Sequence, residues 1–481
     1  MRIIIAIVMM SLVVGGCMGV ESGQTKTEIV YMANGIKIGE VDSTSAIVWT
    51  RLTKHPERNI GGTPFPEREN PWDAKNRGEY VYDFEKMEAV VPGDKGQMRF
   101  TYWPAGSEKQ KKSTAWQWVL QNKDFTYQTK LEGLLPGTKY LITAQGRGSQ
   151  NGVATCQVEG GFRTAPKAFE PARVRFMVVT GQDYTRRDDA VNGHKIYPQM
   201  LAIEPDFFVH TGDTEYYDRP GPYADSVELA RFKWNRIYSM PFQRMFHNKI
   251  ASYFIKDDHD TLRDDCWPGQ SYGRELTWED GLAIFREQVP MGDKTYRTIR
   301  WGKDLQIWLV EGRDFRSPNN MADGPDKTIW GERQKKWFFD TVQKSDATFR
   351  VLISPTPIVG PDRGNKNDNH ANKGFTYEGD QLRQFIGKQK NMFVICGDRH
   401  WQYVSVDPDT GAKEYSCGPT TDKHAGGFSE KNKSSMHQYL KIKGGFLSVT
   451  VERVNDKPTI TFRHHGVDGS IYNEDVITAA N

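Results

Sequence analysis

The chain has 481 residues and carries 64 Lys and Arg against 61 Asp and Glu, for a formal net charge of +3. Near balance of this kind argues against a nucleic-acid-binding protein, while a hydrophobic fraction of 37% with 13 Trp and 20 Tyr argues against wholesale disorder. The length exceeds what one core usually holds, so two domains are expected.

Near its start the chain has one basic residue, Arg2, an apolar stretch from Ile3 to Val14, then Gly15, Gly16 and Cys17. That order is the pattern of an export signal. Residues 1–17 are therefore read as a signal peptide with a lipobox, Cys17 being the residue that takes the lipid; a simple cleaved signal and a short anchor share the same pattern. The apolar run falls below the roughly 18 residues a spanning helix needs. Contact with a membrane is expected only through the lipid on Cys17, and the location is the cell envelope (periplasm, outer membrane or cell surface), or secretion without the lipid. Cys156, Cys266, Cys396 and Cys417 remain, without zinc-site spacing. Export permits disulfides, although free buried thiols are the commoner arrangement.

Residues 27–167 read as strands and turns without acid-histidine clusters. GIKIGEVDSTSAIVWTRL predicts two strands about a turn, and KLEGLLPGTKYLITAQGRG predicts a Pro-Gly corner running into another strand. The corner resembles that of fibronectin type III sandwiches. Between them, HPERNIGGTPFPERENPWDAKNRGEY is a long polar loop rich in Pro and Gly. A Pro-bearing linker near residue 168 then leads into a second unit, residues 169–460, with residues 461–481 as a last strand and tail. Here apolar strands (RFMVVT, DFFVH, SYFI, LQIWLVEG, FRVLIS, MFVICG, FLSVTVERV) alternate with longer segments. GERQKKWFFDTVQKS is an amphipathic helix candidate, and the whole suggests a layered α/β domain.

Three of those strands end in acid or acid-histidine clusters: HTGDTEYYD, KDDHD and CGDRH. Strands releasing such side chains at one sheet edge assemble a polar site from distant sequence, and the ligand types suit hard and borderline metal ions. In the first, Gly212 permits a tight turn, Asp213 can bridge two cations, and Tyr216 offers a phenolate to a Lewis-acidic ion; a capped turn would use the same residues. In the second, Asp258 is the candidate ligand and His259 the candidate proton donor to a leaving oxygen, with Asp257 and Asp260 in supporting positions; a solvated acidic turn is the alternative. In the third, Asp398 and His400 point the same way from an extended segment, unless Asp398 simply pairs with Arg399. Arg313 and Arg316 can clamp an anionic ester or form interior ion pairs with Glu311 or Asp314. His210 is placed behind the metal ligands. Asp368, His370, Asp422 and His424 belong to polar loops that either line the pocket, bind Ca2+ or lie on the surface.

In this order, GEVDSTSAIVWTRL, HTGDTEYY, DDHD, EGRDFRS, GERQKKW, SPTPI and GDRH resemble the PhoD-like alkaline phosphatases of the calcineurin-like metallophosphoesterase superfamily, over about residues 30 to 455. The resemblance implies a four-layer α-β-β-α catalytic domain preceded by an all-β, immunoglobulin-like sandwich. It implies a site with two or more ions, Ca2+ and Fe3+, in which Asp213 bridges, Tyr216 and His400 hold the ferric ion, and Asp258 and Asp398 serve neighbouring sites. One position departs from the pattern. Where the family carries Cys after the first catalytic strand, this chain reads VVTGQDY, with Gly181 at the matching place. Glycine cannot ligate, so the iron-thiolate centre is in doubt, and a different metal, Asp183 or water is left to complete the shell. The implied activity is phosphoester hydrolysis by a metal-activated hydroxide on a small or polymeric anionic ester, with His259 aiding the leaving group. A sulfate-ester hydrolase acting on extracellular polysaccharide and a silent envelope binding protein are the rival readings.

Overall fold

Side-chain alternation decides the layers. In the strand Val174–Val179, Val174, Phe176 and Val178 join one hydrophobic core while Met177 and Val179 join another on the opposite face. The computed structural model describes residues 28–73, 82–273 and 275–480. The expected signal peptide and Cys17 lie outside the described residues.

Two large sheets stack face to face. The first has nine strands in the spatial order Ile471–Thr478, Lys457–His465, Phe446–Val454, Val174–Val179, Phe207–His210, Ala251–Phe254, Ile36–Gly39, Ala46–Arg51 and Thr126–Leu131. The second has seven, in the order Arg297–Trp301, Leu305–Leu309, Phe349–Ser354, Met392–Cys396, Lys413–Cys417, Gln402–Val406 and His437–Lys441. Their facing sides bury Phe176, Phe207, Tyr253, Trp301, Ile307, Val351, Ile395 and Tyr415 in one continuous core. Within it Phe207 stacks between Phe176 and Trp301, with ring centroids 4.7 Å away on each side. Large rings at that spacing fill the gap between sheets with dense contact.

Helices cover both outer faces. Ile196–Ala202 and Pro241–His247 contribute Tyr197, Met200 and Phe246 to the cluster beneath Met177 and Phe208. Gly331–Gln343 and Thr376–Gly387 set Phe338, Val342, Leu382 and Ile386 against Trp308, Leu352 and Val394. The result is the expected α-β-β-α stack, with the GERQKKW segment helical as its spacing predicts.

The amino-terminal β-rich part is a sandwich that shares a sheet with this stack. A separate sheet built on Gln97–Pro104, Lys139–Arg147 and Cys156–Arg163 packs Phe100, Tyr140, Ile142 and Phe162 onto the core that contains Ile36, Ile38, Val48 and Leu131. The Pro-Gly corner is closed by Tyr140, whose hydroxyl accepts the Leu135 amide at 2.9 Å. The other half of the sandwich is the far end of the nine-stranded sheet, because Ile36–Gly39 pairs in parallel with Ala251–Phe254. All four described cysteines are free thiols. No helix among the described residues is long and apolar enough to cross a membrane.

Candidate metal centre

Register brings the clusters to one edge. His210 lies opposite both Val179 and Phe254, so three parallel strands end level; in the other sheet Ser354 lies opposite Cys396. The turns that follow face one another across the gap between sheets. Gly212 has φ +107°, and a Cβ there would fall 2.6 Å from the Asp257 amide nitrogen, so only glycine lets the two acidic turns touch. Asp213 and Asp398 both hold left-handed backbone, with φ of 56° and 61°. Such strain in non-glycine residues gathers at functional sites. The Asp398 amide donates to Thr180 Oγ1 at 3.1 Å, which ties the two sheets together beside the site.

Asp213, Tyr216 and His400 meet at the centre. The Tyr216 hydroxyl donates to Asp213 Oδ2 at 2.9 Å and lies 3.3 Å from His400 Nε2, which is itself 3.8 Å from Asp213 Oδ2. Asp213 Oδ1 is buried without a hydrogen-bond partner among the described residues. Asp213 also joins two wider groups, one with Asp258 and His259 and one with Asp257 and Asp398, each with ligand atoms within 4.8 Å of one another. Asp257, read from sequence as a supporting residue, thus stands beside the ligand candidates; its Oδ1 accepts from Arg313 while its Oδ2 is bare. Asp260 has the supporting place, accepting the Thr214 amide at 3.1 Å and the Asp257 amide at 2.7 Å. His210, beneath the first turn, accepts the Gly212 amide at 3.3 Å.

The electrostatics are those of a cation site. Burial pushes the Asp213 carboxyl well above its usual pKa; His259 opposes this, and the Asp258 and Asp260 carboxylates add to it. Burial and then Asp213 push the Tyr216 phenol well up. A bound cation would reverse both shifts, and bare carboxylate oxygens beside a phenol and an imidazole suit hard and borderline ions. The donor set therefore fits the ions that the sequence implies, short of the thiolate.

His259 is held from one side. Its Nδ1 is 2.7 Å from Asp218 Oδ1, and its ring lies 4.3 Å from that of Tyr216. Burial alone would lower its pKa, yet Asp218, Asp258 and Asp213 together raise it well above the usual value. Asp218 closes the run GDTEYYD, but sequence offers no reason to pair it with a residue 41 positions away.

Several assignments change. Arg313 and Arg316, candidates for clamping an ester or for interior ion pairs, are both buried and bonded within the protein, with Arg313 Nη2 and Arg316 Nη1 left without a hydrogen-bond partner among the described residues. Arg313 Nε donates to Asp257 Oδ1 at 2.7 Å and its Nη1 to the Cys266 carbonyl; Arg316 is held by Asn319 and the Asp368 carbonyl. Glu311 and Asp314 pair with Lys256 instead. Asp183 does not reach in to replace a thiolate: its Oδ1 caps the turn Tyr184–Arg186 through the Thr185 amide and hydroxyl, and its Oδ2 faces Arg186. Arg399 contacts Asp398 but is also anchored by Asp362 at 2.8 Å and Asp368 at 3.4 Å. Of the polar-loop candidates, Asp368 serves Arg399, His370 bonds Glu378 at 3.0 Å and Asp422 accepts the Gly444 amide at 2.9 Å. His424 alone among them reaches the centre, its ring 3.9 Å from His400 and 5.2 Å from Tyr216.

Comparison with known proteins agrees with this fold. A family model described as PhoD-like phosphatase matches residues 176–443, more than half the chain. The solved structure of PhoD is similar over 94% of this chain and 90% of its own length, at 14% identity and a TM-score of 0.70. Purple acid phosphatase PPD1 from seeds of yellow lupin (Lupinus luteus) is similar over 92% of this chain and 74% of its own length, at 12% identity and a TM-score of 0.59. No curated protein sequence matches significantly.

Proposed function

Because the chain belongs to the PhoD-like phosphatase family, we propose that it is an exported, metal-dependent phosphoester hydrolase of the alkaline phosphatase or phosphodiesterase kind. The observation that carries this reading is the convergence of Asp213, Tyr216 and His400, with Asp213 Oδ1 left bare in a buried, acidic setting. Asp213, Tyr216 and His400 would hold one ion, and Asp213 with Asp257, Asp258 and Asp398 would hold its neighbours; the all-oxygen end suits calcium. Bound cations supply the positive charge that gathers an anionic ester and a water for in-line attack.

The chain's own residues do the rest. His259, oriented through Nδ1 by Asp218, has near its Nε2 the Asp264 carboxylate at 3.6 Å, and is placed to deliver a proton to the leaving oxygen. Arg313 pairs with Asp257 at 2.7 Å and stands 3.6 Å from Asp258, and so holds the acidic turn in shape. The Gly15-Gly16-Cys17 sequence supports attachment to the cell envelope by a lipid at Cys17, with the catalytic edge facing an anionic ester outside the cytoplasm.

The test pairs elemental analysis of natively produced protein with rates on nitrophenyl phosphate, bis-nitrophenyl phosphate and nitrophenyl sulfate. Bound metal with turnover of a phosphate ester is the expected result. Turnover of the sulfate alone, or neither metal nor activity after metal addition, would sink the proposal.

A further inference from the structure

The vacancy at Gly181 is answered from the other sheet. Gly181 has φ +60°, and a Cβ built there meets His400 Cδ2 at 3.3 Å, His400 Nε2 at 3.4 Å and Pro419 Cβ at 3.3 Å. Any side chain at this position would therefore need left-handed backbone and would run against the His400 ring. What the position offers instead is its carbonyl, which accepts from the Thr420 hydroxyl at 3.2 Å and lies 3.1 Å from His424 Nδ1.

His424 is set in place by its own loop. It ends the short turn Asp422–His424, whose leading Thr421 accepts the Lys423 amide and donates to Asp188 Oδ1 at 2.6 Å. The ring is 3% exposed. A carbonyl can only accept, so Nδ1 carries the proton and Nε2 carries the lone pair. Nε2 is buried and has no hydrogen-bond partner among the described residues. A bare buried imidazole nitrogen is destabilising if nothing ever meets it. Its ring centroid also lies 3.9 Å from that of His400, with the planes tilted by 46°, and edge-on to Tyr216 at 5.2 Å, both of which reach the Asp213 carboxylate. Carbonyl-anchored Nδ1 with a free Nε2 is how metal-binding histidines are usually oriented.

We propose that His424 replaces the missing thiolate, so that Tyr216, His400 and His424 together with Asp213 hold one ion. The exchange of an anionic sulfur for a neutral nitrogen removes one negative charge and the soft donor, which shifts preference from a ferric-thiolate centre toward a borderline divalent cation such as Zn2+, Mn2+ or Co2+. This proposal rests on the metal-dependent reading above and adds a ligand to it.

The experiment is titration of metal-stripped full-length protein with Co2+, followed by its visible absorption and by the stoichiometry of tightly held ion. Wild type, Asp213→Ala, His424→Ala, His424→Gln and, as a distant histidine control, His437→Ala are compared after thermal melting has shown them folded. The expected result is that both His424 variants bind the most tightly held Co2+ about 10- to 100-fold more weakly with an altered spectrum, while His437→Ala matches wild type. Co2+-loaded wild type gives a second readout that needs no variant: its NMR spectrum should contain two hyperfine-shifted imidazole N–H signals from this ion, one of them protected from exchange by the Gly181 carbonyl. Wild-type affinity and spectrum in the His424 variants, or a single shifted imidazole signal, would overturn the His424 assignment alone. Failure of wild type to bind Co2+ at all would overturn the metal-dependent reading and this one with it.

Discussion

Asp213 shows at the scale of one residue how function is placed against stability. It sits in left-handed backbone, buried, with one oxygen unsatisfied and other carboxylates nearby. Asn tolerates that backbone and carries no charge. Asp213→Asn should therefore melt at a higher temperature than wild type when both are metal-free, while turnover of the loaded enzyme falls at least about 100-fold. The sign with pH follows from the raised pKa. A carboxyl raised in the folded state is neutral in both states below about pH 4, so the two proteins should differ least there. The stability gap should then open as pH rises from about 4, which thermal melts across pH would record. His259 invites a different measurement. His259→Ala should slow alkyl phosphate esters by about 100-fold or more and spare nitrophenyl esters, whose leaving group needs no proton. Asp218→Asn should show the same selectivity in milder form, with its pH profile displaced to lower pH, since Asp218 is one of the groups that keeps His259 charged. Equal losses on both ester types would count against the proton-donor role.

Elements explain which parts of the site were readable beforehand. A strand that is buried on both faces reads as an apolar run, and its end is marked by Gly, Asp and His; hence HTGDTEYY, DDHD and GDRH stood out, and the strands before them lie at Phe207–His210, Ala251–Phe254 and Met392–Cys396. Side-chain partners do not follow from such patterns. Arg313 is 56 positions from Asp257, and His424 is 243 positions from Gly181; nothing local distinguishes an arginine that holds a carboxylate from one that awaits a substrate. Glu378 is a further case, on the helix Thr376–Gly387. It accepts the Thr328 hydroxyl at 2.5 Å and the Ile329 amide at 2.6 Å, with His370 at 3.0 Å, and so ties its helix to the segment that leads into the helix Gly331–Gln343. Burial opposes its ionisation, but these bonds hold its pKa down at about 2. The His370 ring is the largest of these lowering causes, ahead of the Thr328 hydroxyl and the Ile329 amide. A depressed carboxylate stabilises the fold above its unfolded value of about 4.5 and loses that contribution as pH falls toward 2. Glu378→Gln should cost about 2 kcal/mol near neutral pH and flatten the acid limb of the unfolding curve.

For the whole molecule, the sandwich and the catalytic stack are one structural body wherever they share the nine-stranded sheet. Beyond the parallel pairing, the Asn34 amide group donates to the Asn235 carbonyl at 2.7 Å, Lys37 Nζ to the Gln288 carbonyl at 2.6 Å, and Tyr253 to the Val41 carbonyl. A fragment beginning at residue 169 would leave Ala251–Phe254 as an open, apolar sheet edge directly behind the DDHD turn. It should be recovered mainly as aggregate, and any soluble part should bind metal poorly, as size-exclusion chromatography with elemental analysis would show. A soluble, metal-loaded fragment would refute the dependence. Sequence marked a boundary near residue 168 because Pro-bearing linkers break local patterns, whereas strand pairing across more than 200 residues leaves no local trace.

The same sheet also sets a timetable. Ile36–Gly39 must wait for Ala251–Phe254 before it gains its parallel neighbour, and Val174–Val179 lacks its antiparallel neighbour until Phe446–Val454 has been made. Strands far apart in the chain close one surface, so the sheet cannot be completed before Phe446–Val454 has been made. Long-range pairings of this kind fold slowly, and a sheet that stays open until so late a strand appears is one that can still be threaded elsewhere before it sets.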